Sequence, residues 1–287
     1  MEKMKTYAEF IKIEHTLFAL PFAYIGALMA AKGIPNLRIL ILILFAFTSF
    51  RSAAMALNRI IDRDIDALNP RTKNRHIPAG LISLKEAYLI VLISLAIYFL
   101  SACLINEMTF KLSPIPAITA YIYPYLKRHT CLSHFVLGLN LSYAPLGGWI
   151  SVTNTLSLET ELIPTLIAIA VIFWVAGFDI IYALQDLEFD RKYNLHSIGA
   201  HFGVNAALKT SAICHIIFFI LLSASLLLYE LHFIFLIGLI FIAILLFYQH
   251  WIVKDEFNSK KIQIAFFYSN ALISNVLFFT ILLGVFV

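Results

Sequence analysis

Nine stretches of this chain run for about the length of a membrane-spanning helix with few charges: 16–33, 37–59, 86–106, 109–126, 132–153, 162–182, 207–229, 231–253 and 265–287. A span needs roughly 20 mostly apolar residues. Inside lipid the backbone must satisfy its own hydrogen bonds, so such stretches have to be helices. The expected fold is therefore an all-α integral membrane protein, nine transmembrane helices in one bundle around a central cavity. The last stretch carries no charge at all, whereas Pro114 and Pro116 should bend the fourth. Composition agrees. The chain is 61% hydrophobic and 13% charged with a mean hydropathy of +0.87, where soluble domains are about a quarter charged. No Pro/Gly/Ser-rich linker divides it, so residues 1–287 read as a single membrane domain. Cys103, Cys131 and Cys214 are scattered and suggest neither a disulfide framework nor a zinc site. The N-terminal MEKMKTYAEFIKIEH reads as an amphipathic lead-in without a cleavage pattern.

Basic residues favour the cytoplasmic side of a membrane. With the N-terminus inside, 17 Lys and Arg fall in inner loops and 3 (Lys32, Arg38, Lys111) in outer ones, leaving Arg51 within the second span. The net charge of +4 is thus explained by loop asymmetry, and no nucleic-acid partner is expected. This layout puts the loops after the second and sixth spans on the same face.

Both of those loops begin with acidic stripes. In NRIIDRDIDALNPRTKNRHIPAG (58–80), Asn58, Asp62 and Asp66 are spaced four apart, and Arg71, Lys73 and Arg75 follow. In FDIIYALQDLEFDRKYNLHSI (178–198), Tyr182, Asp186 and Asp190 repeat the spacing. Residues four apart share a helix face, drifting about 40° per step. Crowded carboxylates beside a low-dielectric wall repel and are costly unless compensated. Mg²⁺ relieves this, because it prefers hard oxygen ligands, one or two carboxylates at a time, completed by water and phosphate oxygens. The two stripes read as a Mg²⁺ clamp on a diphosphate, with Arg71, Arg75, Lys127, Arg128 and Lys192 supplying further positive charge. Asp64 and Glu188 lie off the stripes. The competing reading is a solvated rim of local ion pairs.

Arg51 and Asp179 each precede a stripe by seven residues, about 10 Å deeper. Either they pair inside the bundle or they face the cavity, Arg51 to hold an anionic group and Asp179 to orient a hydroxyl. The nine histidines lack metal spacing; His15, His196 and His201 fall near the inner face. Tyr123, Tyr125, Tyr143 or Tyr182 would stabilise a carbocation through their π faces if they line the cavity.

These residues resemble the membrane prenyltransferase family that includes the 4-hydroxybenzoate polyprenyltransferases. Asn58, Asp62 and Asp66 match its N-x-x-x-D-x-x-x-D signature, and Asp179, Asp186 and Asp190 its D-x6-D-x3-D form. RTKNRHIPAG is similar to its R-T-x-x-R-P-x-P-x-G segment, and YPYLKRHTCLSHFVLG to its Y-P-x-x-K-R-x-T segment. The resemblance runs from about residue 10 to 205. His76 replaces a usual proline, Asn194 and His196 a common glycine and lysine, and Tyr182 a frequent aspartate. The nine-helix expectation agrees with that family's fold.

The resemblance implies Mg²⁺-dependent transfer of a polyprenyl group from a polyprenyl diphosphate to a small aromatic acid, at the cytoplasmic face of a bacterial inner membrane. Mg²⁺ would be held by Asp62, Asp66, Asp186 and Asp190. HTLFALPFAYIGA and FDIIYALQDLEFD look like a quinone-pathway branch using 4-hydroxybenzoate, and a menaquinone branch with another aromatic acceptor is the alternative. A secondary transporter would instead spread its charges through the midplane, and a phosphatidyl-type transferase would want a single-helix acidic motif that is missing here.

Overall fold

The computed structural model describes residues 2–157, 161–229, 233–253 and 259–286, and every element in them is helical. The side chain of His15 and the loop residue Lys254 lie outside the described ones. Among the described residues seven helices are long and apolar enough to cross a bilayer, as expected of an integral membrane protein. The first expected span corresponds to the helix Ile13–Ala31, and the fourth is represented by the 13-residue helix Pro114–Leu126.

The helices are α1 (Glu2–Phe10), α2 (Ile13–Ala31), α3 (Leu37–Ile61), α4 (Arg63–Leu68), α5 (Leu84–Ile105), α6 (Glu107–Leu112), α7 (Pro114–Leu126) and α8 (Ser133–Thr153). They continue as α9 (Leu162–Ala183), α10 (Leu187–Lys192), α11 (Ile198–Phe202), α12 (Val204–Leu228), α13 (Phe233–Ile252), α14 (Ser259–Gln263) and α15 (Ser269–Gly284). Helix α9 is the axis of the bundle, packed between α8 and α12, while α2 packs on α8 and α15, and α3 on α5. Its Trp174 is fully buried among Phe22, Phe178 and Phe218, whose rings lie 4.9, 5.1 and 6.0 Å away. Lipid offers no hydrophobic gain for helix association, so close packing of small residues matters more than in water. At the α2–α8 crossing, a methyl group added to Gly26 would overlap the Pro145 carbonyl, and one added to Gly148 the Ala23 carbonyl. Backbone there touches backbone.

Helix α1 does not span. Lys12, at φ 54°, turns the chain between it and α2. Tyr7 donates to Glu86 at 3.0 Å, and Glu86 closes a capping box with Ser83 at the start of α5. Phe10 is fully buried, edge-on to His76 at 5.8 Å. The lead-in is thereby pinned onto the loop that follows the first acidic stripe.

Candidate active site

Both acidic stripes sit where a long helix changes form. Helix α3 gives way at Asp62 and resumes as α4, yet Asp62 N donates to Asn58 O at 3.0 Å and Asp66 N to Asp62 O at 2.7 Å. The register is kept, and Asn58, Asp62 and Asp66 share a face. Helix α9 ends at Ala183, tightens into one 3₁₀ turn over Leu184–Asp186, and resumes as α10. Short 3₁₀ insertions inside helices often mark functional sites.

The two stripes meet. Each of the four expected metal-ligating carboxylates holds one of the cations expected to meet a phosphate. Asp62 Oδ1 lies 3.3 Å from Arg128 Nη2, and Asp190 Oδ1 lies 2.9 Å from Lys127 Nζ. Arg75 Nη1 donates to both oxygens of Asp66 at 2.7 and 2.8 Å. Arg71 Nε donates to Asp186 Oδ1 at 2.8 Å, while its Nη2 closes a tight ion pair with Asp186 Oδ2. Asp66, Asp186 and Asp190 are all buried, so cations rather than water compensate them. Arg128 also donates to the Ile61 carbonyl at 2.7 Å, satisfying the end of α3.

Two contributors were not singled out from sequence. Asn69 is buried and donates to Asp186 Oδ1 at 2.8 Å, while its own Oδ1 accepts from Arg71 N at 2.9 Å. It shapes the loop that carries Arg71 across to the second stripe. Arg59, counted from sequence only as a loop cation, is 7% exposed, and its Nε and Nη1 are buried without a hydrogen-bond partner among the described residues. Its adjacency to Asn58 was the available signal.

Below the stripes lies a cavity of about 570 Å³ whose wall includes Arg51, Asn58, Arg59, Arg75, Asp179 and Tyr182. The two deeper charges thus face the same space. They do not pair with each other: Asp179 Oδ2 is 2.7 Å from His134 Nδ1, and Arg51 Nε has no hydrogen-bond partner among the described residues. Tyr182 accepts from Arg71 Nη1 at 2.9 Å and lies against Phe266, ring centroids 4.2 Å apart. Tyr123 lines the cavity too, whereas Tyr143 lines a second, mostly apolar cavity of about 270 Å³ and Tyr125 lies edge-on to Tyr121. Phe47, Phe50 and Asn140 belong to both walls, so the two spaces adjoin. Lys192 is not brought in; it is exposed on α10 over the Tyr193 ring. The His196 and His201 rings lie tilted against one another, 4.8 Å apart. Asn194 takes φ 51°, the left-handed conformation that glycine adopts freely and asparagine tolerates.

The donor set suits Mg²⁺, since Asn58, Asp62, Asp66, Asp186 and Asp190 offer only hard oxygens. Among the described residues no three acidic, histidine or cysteine side chains converge on one point, but Mg²⁺ needs only one or two carboxylates when phosphate and water complete its shell. Burial, and then the neighbouring Asp66 carboxylate, push Asp62 up to about 6 against the pull of Arg128. Burial works against the charged form of Arg71, yet its hydrogen bonds to Asp186 and Tyr182 hold its pKa above the ordinary arginine value.

A family model described as the UbiA prenyltransferase family matches residues 19–271. A 4-hydroxybenzoate octaprenyltransferase of Vibrio cholerae is 35% identical over 176 residues, 61% of this chain and 61% of that protein, so the match spans less than two thirds of the relative's length. The apo structure of a UbiA homolog from Aeropyrum pernix K1 superposes with a TM-score of 0.86 at 36% identity, over 94% of this chain and 98% of that one. A UbiA homolog from Archaeoglobus fulgidus bound to DMAPP and Mg²⁺ gives 0.73 at 26% identity, over 96% and 99%.

Proposed function

Because the chain belongs to the UbiA prenyltransferase family, we propose that it transfers a polyprenyl group from a polyprenyl diphosphate to a small aromatic acid such as 4-hydroxybenzoate, in respiratory quinone biosynthesis. The observation that carries this reading is the set of four carboxylate–cation pairs next to a cavity whose wall includes Asn58, Arg75 and Tyr182. Such a cluster accepts a metal diphosphate without burying unpaired charge. Asp62, Asp66, Asp186 and Asp190 would hold Mg²⁺, with Asn58 assisting, while Arg71, Arg75, Lys127 and Arg128 exchange carboxylate for phosphate oxygens. Bound there, Mg²⁺ supplies neutralisation of the charge that builds on the departing diphosphate. The DMAPP and Mg²⁺ bound by the Archaeoglobus fulgidus homolog support this assignment.

The chain's own groups do the rest. Arg71 and Arg75, already ordered by their ion pairs, aim fixed positive charge at the leaving oxygen, which is electrostatic stabilisation of the oxyanion type. Tyr123, Tyr182, Phe178 and Phe266 present π faces to the allylic cation left behind. The aromatic part of that wall, with Phe47, Phe50, Phe178 and Phe266, keeps from the cation the water that would otherwise capture it as an alcohol. The adjoining apolar cavity receives the first part of the tail, and the remainder leaves sideways into lipid. Arg51 anchors the acceptor's carboxylate, directing the ring toward the cation. We read the whole chain as one nine-span domain with its N-terminus and active site at the cytoplasmic face of a bacterial inner membrane. A menaquinone-branch acceptor in place of 4-hydroxybenzoate would use the same Arg51 anchor.

Two outcomes check the site. Arg51→Ala should raise KM for 4-hydroxybenzoate by about tenfold or more, the loss of one charge-assisted hydrogen bond, while leaving KM for the prenyl diphosphate within about twofold. Equal damage to both substrates would remove the anchor role. For Asp62, protonation competes with the metal below pH 6. Metal affinity, followed by Mn²⁺ electron paramagnetic resonance without diphosphate, should therefore weaken as pH falls from about 7 to 5, approaching tenfold per unit at the low end. Affinity that stays flat over that interval would argue against Asp62 as a ligand.

A further inference from the structure

Asp179 has a partner that neither stripe supplies. His134, on the first turn of α8, is 3% exposed and buried behind the cavity wall. Its Nε2 accepts from the Ile198 backbone N–H at 3.5 Å. That bond leaves the lone pair on Nε2 and the proton on Nδ1, which donates to Asp179 Oδ2 at 2.7 Å. The imidazole is a neutral spacer between the N-terminus of α11 and the carboxylate, fixed at both ends. Asp179 itself lines the large cavity beside Phe178 and Tyr182, with a side chain 18% exposed. Among the described residues His134 is the one polar side chain bonded to it. The four stripe carboxylates are each engaged by a cation, whereas Asp179 has a neutral donor and an open face toward the cavity.

We propose that His134 is a positioning residue that holds Asp179 as the carboxylate accepting the aromatic acceptor's proton during prenyl transfer. The inference rests on the proposed prenyl transfer to an aromatic acid. In the step, the C–O bond to the diphosphate breaks with its electron pair going to the diphosphate. The ring carbon beside the hydroxyl forms a bond to the allylic carbon, and the C–H pair at that ring carbon returns to the ring as the proton passes to Asp179. Asp179 then gives the proton to water at the cavity mouth. An oxygen tied to His134 cannot swing away, so the other is presented to the substrate in one geometry. Preorganisation of this kind is how a general base becomes effective.

The test uses the full-length protein in detergent or nanodiscs with Mg²⁺, geranyl diphosphate and 4-hydroxybenzoate, either unlabelled or deuterated at the ring positions beside the hydroxyl. His134→Leu should lower kcat about 10²-fold, leave KM for geranyl diphosphate within about twofold, and raise the ring-deuterium isotope effect above about 2 as proton removal becomes limiting. His134→Gln, whose amide N–H can donate to Asp179 and whose carbonyl can accept from Ile198, should recover most of the rate and abolish the isotope effect. If His134→Leu does not fold, Asp179→Asn, which keeps an acceptor for the His134 N–H, should show the same loss with diphosphate binding intact. Wild-type kcat in His134→Leu or Asp179→Asn would overturn the assignment. So would a loss of rate with no isotope effect and no recovery in His134→Gln. Wild-type protein that releases diphosphate and forms no aromatic product would instead overturn the acceptor reading on which it rests.

Discussion

Asp186→Asn should lower prenyl transfer by about 10³-fold while the protein still inserts and folds. Asp186 is the point where the two stripes are tied, since it accepts from Asn69 and from two nitrogens of Arg71. Asparagine keeps nearly the same volume and one oxygen for Arg71, but its amide NH₂ must face a donor of Arg71 or Asn69, so a modest loss of melting temperature should accompany the loss of rate. What it loses is charge, and with it the proposed Mg²⁺ ligand and the group that holds Arg71 in place. Both losses fall on the leaving diphosphate. The measurement is single-turnover transfer at saturating substrate, alongside detergent melting of the same preparation. A variant that melts like wild type and transfers within about tenfold of it would be too active for a residue holding both the metal and Arg71.

The second large effect is structural and lies at the α2–α8 crossing. Gly148→Ala puts a methyl group onto the Ala23 carbonyl, a backbone atom that cannot rotate away, so the helices must part. Overpacking of this kind costs about 1–3 kcal/mol, and Gly148→Val should cost more. Gly147, one residue earlier, has nothing within 4 Å of where its methyl group would sit. Gly147→Ala should therefore melt within a degree or two of wild type. Similar melting of the two alanine variants would mean that α2 and α8 are not held at backbone contact.

Much of this site could be read from the chain, for a local reason. Four-residue spacing survives the helix breaks at Asp62 and Asp186 because the backbone hydrogen bonds keep their register through them. Loop charge also suggested that the stripes would meet, and Arg71 reaches Asp186 across 115 positions. What could not be read was partner choice. Nothing in the spacing distinguishes Arg71, which crosses to the second stripe, from Arg75, which folds back to Asp66. Arg51 and Asp179 both reached the cavity, but the pairing of Asp179 with His134 depends on how α8 is rotated against α9. Arg59 had only its place beside Asn58 to mark it. The Gly26–Pro145 and Gly148–Ala23 contacts leave no repeating motif, since each is a single glycine meeting ordinary backbone on another helix. The fourth apolar stretch shows a different difficulty. Pro114 starts α7 and Pro124 lies within it, and the helix is 13 residues long, shorter than its apolar stretch suggested.

The central claim is chemical, and product mass tests it most directly. Purified protein would be incubated with Mg²⁺, a polyprenyl diphosphate and 4-hydroxybenzoate, with a parallel sample in excess chelator, and both analysed by mass spectrometry. We expect an aromatic product heavier than 4-hydroxybenzoate by the prenyl group less one hydrogen, formed together with one diphosphate and absent in chelator. Diphosphate release with only the prenyl alcohol formed, or product formation that ignores the chelator, would contradict it.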